Sequence, residues 1–128
     1  MPEYLVLLHS DPSIWRQMSA EQYQETKLKY RGWGLRGRES GLVLGGQKLA
    51  DDSGKVIRGA RPIVTDGPYS ETKEMLGGYF LIRAETYDAA VQACLDHPHV
   101  AYGGTIELRE VELTLDEALR REDFTQRR

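Results

Sequence analysis

The stretch IVTDGPYSETKEMLGGYFLI, from Ile63 to Ile82, decides the fold. Ile63, Val64 and Thr65 are β-branched and favour a strand. Asp66, Gly67 and Pro68 end that strand, because Asp-Gly favours a turn and proline has no N–H to give a ladder. Ser70 stands where a helix N-cap belongs, with Glu71 in the first turn, and Gly77-Gly78 is expected to stop the helix after one or two turns. Tyr79, Phe80, Leu81 and Ile82 then form an apolar run closed by Arg83, which reads as a buried strand. The stretch is therefore strand, turn, short helix, strand. Its connection, from Asp66 to Glu74, gathers carboxylates, two hydroxyls, the Tyr69 phenol and the Lys73 amine.

Upstream, the run from Tyr4 to His9 is apolar almost throughout, as in a central strand covered on both faces. By alternation Tyr4, Val6 and Leu8 share one face, and Leu5, Leu7 and His9 the other. Asp11-Pro12 opens a one-turn helix carrying Ile14 and Trp15. Ser19 and Gln22 make a capping box, and Met18 and Tyr23 a hydrophobic staple, so a long helix is expected from about Ala20 to about Arg38. Its apolar face is weak, and Gly32, Gly34 and Gly37 imply either close packing or a loose end. Gly45-Gly46 suggests a bulge within the next strand. Lys55 to Arg58 and Pro62 to Thr65 read as a hairpin joined through Gly59.

Downstream, Tyr87, Ala90, Val91, Cys94 and Leu95 recur at helical spacing, which predicts a core-facing helix stopped by Pro98. Thr105 to Leu113 alternates, with Ile106 and Leu108 on one face and Glu107, Arg109 and Val111 on the other. Thr114 and Glu117 form a second capping box. Residues 1–113 are thus expected to form one domain and residues 114–128 a C-terminal helical extension.

The pattern of DGP, aromatic, ETKE, GG and an aromatic-apolar strand, here TDGPYSETKEMLGGYFLI, resembles the signature of the DGPF family, a branch of the YCII-related proteins. Tyr69 stands where that family usually carries Phe. The likeness continues through the opening strand, the long helix, the Gly-rich strand and the closing GGTIELREV. The element order, strand, helix, strand, hairpin, strand, helix, strand, is a ferredoxin-like split βαβ with an inserted β-hairpin, an α+β fold. Two helices cover one face of such a sheet, yet two strands are apolar on both. A homodimer packing sheet on sheet would bury the second face, and the resemblance implies the same dimeric α/β barrel, with a small-molecule pocket beside the sheets.

With 128 residues, a formal charge of −3 and acids interleaved with bases, nucleic acid is disfavoured as a partner. No apolar run has membrane-spanning length and the N-terminus fails the tests for a signal peptide, so a cytoplasmic location is expected and no membrane partner. Lys27, Lys29, Arg31, Arg36 and Arg38 are the exception in charge. Their simplest reading is a solvated helix face; the other is an anion site or a surface for an acidic partner. Cys94 reads as core packing.

Two function classes fit. In the first, a small dimer performs cofactor-free acid-base chemistry, with Asp66, Tyr69 and Lys73 as the catalytic candidates and His9, Glu71, Tyr79, Glu107, Arg109 and His97 lining the pocket. Much of the connection also has local structural work available, since Asp66 turns the chain and Ser70 caps, which leaves Tyr69, Lys73 and Tyr79 as the residues whose roles the backbone alone does not explain. In the second, the protein is a non-catalytic ligand-binding or regulatory module, in keeping with the stress and sigma-factor setting that the resemblance implies. The better-known YCII branch resembles an acid-base enzyme through a first-helix histidine and an Asp-Pro pair. Here that helix has no histidine and the pair is His97-Pro98, leaving His97 or His99 as substitute titrating groups. No dinucleotide, nucleophile-elbow or Walker motif is present, so no cofactor is expected, and the His spacing does not favour a metal.

Overall fold

The computed structural model describes residues 1–51, 54–67 and 74–112. They form β1 (Glu3–Ser10), α1 (Ser13–Arg16), α2 (Ala20–Glu39), β2 (Val43–Lys48), β3 (Lys55–Arg58), β4 (Ile63–Asp66), β5 (Met75–Arg83), α3 (Tyr87–Cys94), α4 (Pro98–Ala101) and β6 (Thr105–Glu110). The fold is mixed α+β. A four-stranded antiparallel sheet has the order β2-β5-β1-β6, and β3 and β4 pair as a separate hairpin. No helix among the described residues is long and apolar enough to cross a membrane.

The sheet register follows the alternation of β1. Tyr4 pairs with Ile82, Val6 with Phe80 and Leu108, and Leu8 with Gly78 and Ile106. This face packs against Trp33 of α2 and against Ala90 and Cys94 of α3, and it holds the buried core. Burial pushes the Cys94 thiol up to about 11, so the side chain behaves as a small hydrophobe. The opposite face carries Leu5 paired with Leu81 and Leu7 paired with Tyr79, all half-buried. The described residues of the single chain make an open sheet, with no closed barrel among them.

α2 begins as its sequence dictates: Ser19 accepts from the Gln22 backbone N–H at 3.1 Å and the Gln22 side chain accepts from the Ser19 N–H at 2.9 Å. Gly34 and Gly37 mark close packing rather than a loose end, while Gly32 faces only Arg36 of its own helix. A methyl on Gly34 would lie 3.0 Å from Phe80 Cε1, and one on Gly37 would overlap Val43 Cγ2. Gly45-Gly46 does carry an irregularity, between Val43 and Gly45, and Gly46 lets β2 approach β5 closely.

Three expectations need correction. Gly77-Gly78 does not stop a helix but lies within β5, where the pairing with β1 slips between Leu8 and His9 and leaves Gly77 as the extra residue of a bulge. Pro98 does not end α3, which closes at Cys94; it opens α4 at the first helical position, where its missing N–H costs nothing, with His97 as N-cap. The apolar stripe of α3 is only partly core, because the helix is eight residues long and buries only Ala90 and Cys94, while the half-exposed Tyr87 reaches the sheet at Tyr4 and Glu110. Leu95 beyond its end is 62% exposed and Val91 41%. The short helix expected after Ser70, and the extension over residues 114–128, lie outside the described residues.

Candidate functional site

Four of the predicted pocket residues share the open face of the sheet. His9 is the penultimate residue of β1, Tyr79 pairs with Leu7, and Glu107 and Arg109 pair with Leu7 and Leu5 from the other side. Their side chains form a chain of polar contacts: His9 Nε2 lies 3.0 Å from Glu107 Oε1, and Arg109 lies 3.5 Å from Glu107 Oε2. Asp66 stands elsewhere, exposed at the end of β4 and ion-paired with Lys55 across the hairpin. Tyr69, Glu71 and Lys73 lie outside the described residues. His97 is on the opposite side of the sheet from His9, 1% exposed among Trp33, Tyr30 and Phe80.

A cavity of about 450 Å³ opens on the helix side, between α2 and strands β2 and β5. α2 contributes Tyr23, Thr26, Lys27, Tyr30, Arg31, Gly34, Leu35 and Arg38. Their spacing of three and four residues is one stripe of a 3.6-residue helix. This accounts for the weak apolar face read from the sequence: the stripe bordering the cavity mixes Leu35 and the Tyr23 and Tyr30 rings with Thr26, Lys27, Arg31 and Arg38, while Trp33 packs into the core. The sheet side is built largely of glycine, with Gly45 and Gly46 from β2 and Gly77 and Gly78 from β5, so backbone rather than side chain bounds the space. Trp15, Phe80, Leu8 and Val43 supply apolar wall. Among the described members of the predicted set, only Tyr79 borders it.

Tyr30 and His99, both lining residues, form the shortest polar contact between described lining residues, 2.6 Å between Tyr30 Oη and His99 Nδ1. The other ring nitrogen, Nε2, lies 2.7 Å from the His9 carbonyl oxygen. A carbonyl can only accept, so Nε2 bears the proton, Nδ1 is the acceptor, and the Tyr30 hydroxyl donates to it. Burial holds both groups neutral, pushing the phenol up and the imidazole down. Trp15 stacks beside His99 at 6.3 Å and donates its indole N–H to Ser10 Oγ at 3.0 Å. His99 sits on α4, a single turn capped by His97, whose Nδ1 accepts from the His99 backbone N–H at 3.0 Å.

Sequence reasoning named His99 as a substitute titrating group but missed its pairing with Tyr30 and the α2 stripe as a cavity wall. The available signal was the combination of a well-capped helix with polar residues at its sheet-facing spacing and glycines opposite. The alternative use of His97 and His99 as metal ligands meets occupied nitrogens: both of His99 and Nδ1 of His97 are engaged. Among the described residues, no three His, Cys, Asp or Glu side chains converge to hold a metal ion.

No curated protein matches this sequence. The family model for the YCII-related domain matches residues 16–114, more than half of the chain and all of α2, the hairpin, β5 and the α4 turn. The chain belongs to the YCII-related domain family.

Proposed function

We propose that the protein binds a small molecule in the cavity between α2 and the sheet. The observation that carries this is the cavity itself, about 450 Å³, within the range of small-molecule sites, with apolar walls and a convergent polar pair in Tyr30 and His99. The uncharged fluorophore N-phenyl-1-naphthylamine tests it. Its emission is expected to rise and saturate with the purified protein, and Leu35→Trp, a bulky change at a half-exposed lining residue, is expected to weaken binding at least about tenfold, roughly 1.4 kcal/mol. Emission that does not saturate, or an unchanged affinity in Leu35→Trp, would remove the proposal.

A second reading, acid-base catalysis without a cofactor, is favoured by the 2.6 Å contact of Tyr30 with His99. A substrate proton passing to Tyr30 Oη, as the Tyr30 proton passes to His99 Nδ1, would leave a phenol and an imidazolium. Burial works against that imidazolium. Binding without chemistry therefore stands first, in a ligand-responsive or regulatory role.

The strand order with the hairpin set aside fits a ferredoxin-like sheet, and the protein acts as a homodimer that packs the open faces into a dimeric α/β barrel. Leu5, Leu7, Leu81 and Tyr79 would be buried there, with His9, Glu107 and Arg109 beside them. Static light scattering at micromolar concentration is expected to give twice the mass of one 14.5 kDa chain; a monomer would end this part of the proposal.

A further inference from the structure

The cavity is strongly biased in charge. Lys27, Arg31, Arg38 and Lys48 line it, against one lining carboxylate, Asp51. Asp51 is already committed: Lys48 donates to it at 2.8 Å and the Tyr23 hydroxyl at 3.0 Å, and the Lys48 contact holds its carboxyl below the usual carboxylate range. Lys27 sits over the Tyr23 ring, 4.7 Å from its centroid. Arg31 and Arg38 make no ion pair with any described residue, and both are exposed at the mouth of the space.

Lys27 and Arg31 are four residues apart on α2, and Arg38 is seven further on, so the three point along one stripe. Like charges at that spacing repel and weaken a helix, whereas alternation with the helix's own acids would have removed the penalty. Glu21, Glu25 and Glu39 are on α2 but line no part of the cavity. The cations are thus segregated toward the opening, and the apolar surface lies deeper, at Trp15, Phe80, Leu8 and Val43.

Resting on the small-molecule reading above, we infer that the ligand class is an organic anion with an apolar ring body: a carboxylate, sulfonate or phosphate held by Arg31, Arg38 and Lys27, with its ring against Trp15 and Phe80. Guanidinium groups suit this task, since their planar donors match the oxygens of such anions in pairs. Tyr30 and His99 below are neutral and add no competing charge.

The test compares two fluorophores of shared aromatic frame, 1-anilinonaphthalene-8-sulfonate and the uncharged N-phenyl-1-naphthylamine. The sulfonate is expected to bind wild-type protein at least about tenfold more tightly. The double variant Arg31→Gln/Arg38→Gln, at two exposed positions, is expected to abolish that preference while changing the uncharged probe's affinity far less than the sulfonate's. Added salt should narrow the wild-type preference, because the cations are solvent-exposed. Equal affinities, with both probes weakened by Leu35→Trp, would overturn the anion inference and leave the cavity reading standing. A sulfonate preference that survives the double variant would also overturn it, by placing the anion elsewhere. Probes indifferent to Leu35→Trp would overturn the cavity reading, and this inference with it.

Discussion

Gly104→Ala is expected to remove about 2 to 6 kcal/mol of unfolding free energy, the sum of an overpacking cost of about 1–3 kcal/mol and lost hydrogen bonds of about 1–3 kcal/mol. The alanine methyl would stand 2.5 Å from His99 Cδ2 and 2.6 Å from Cε1, and nearer still to Nε2, well inside contact distance. The ring has no room to step aside. Tyr30 holds Nδ1 at 2.6 Å, the His9 carbonyl holds Nε2 at 2.7 Å, and Trp15 stacks on one side. Tilting the ring would leave a buried phenol and a buried carbonyl without partners, which is the costly outcome for groups removed from water. The backbone is pinned as well, since Gly104 N–H donates to the His99 carbonyl at 2.9 Å. Urea unfolding of wild type and variant near neutral pH measures the difference. Gly45→Ala is the comparison, because a methyl there meets nothing within 4 Å and should cost less than about 1 kcal/mol. A Gly104→Ala loss no larger than that of Gly45→Ala would mean that the His99 ring is free to move, and that the Tyr30–His99 pair is not a fixed feature of the cavity.

The same geometry explains what the sequence did and did not disclose. Local rules carried the elements whose signals are local: the Ser19–Gln22 capping box, the alternation of β1 and β6, and the Lys55–Asp66 hairpin turned at Gly59 with φ of 87°. They failed where two local signals competed. Gly77-Gly78 is a good helix stop, but cross-strand pairing with Leu8 and Lys48 outweighed it and turned Gly77 into a bulge. Pro98 is both a helix breaker and a favoured first helical residue, and His97 as N-cap decided for the second role. The cavity was least legible, because it is made by residues from α2, β2, β5 and the α4 turn whose convergence depends on the sheet order. His9, Glu107 and Arg109 could be grouped from parity alone and do fall together. Tyr30 and His99, 69 residues apart, could not. Asp66 drew attention through its chemistry, yet its nearest opposite charge is Lys55 across a four-residue strand pair, and there it sits.

Acid should unfold the protein earlier than its carboxylates alone would require, through His97. Burial among Trp33, Tyr30 and Phe80 lowers this imidazole to about 4, with the neighbouring His99 adding to the effect and Asp96 opposing it. Its Nδ1 is occupied as acceptor from the His99 N–H, so a neutral ring carries its proton on Nε2, a buried atom without a hydrogen-bond partner among the described residues. In the unfolded chain a histidine titrates near its ordinary value of about 6.5. The folded state therefore stays neutral while the unfolded state takes up a proton, and the contribution is complete above about 6.5 and is lost as pH falls toward about 4. Over that window the loss approaches about 1.4 kcal/mol per pH unit, on the order of 3 kcal/mol from His97, and His99 acts in the same direction. Urea midpoints taken at intervals between pH 7 and pH 4 should trace this decline. His97→Asn separates it from the carboxylates: asparagine can still cap α4 and accept from the His99 N–H, but it does not titrate. The variant is expected to show a visibly flatter pH dependence whatever its absolute stability at pH 7. An unchanged slope would mean that His97 is protonated in the folded protein, and that the aromatic enclosure around it admits either water or a charge.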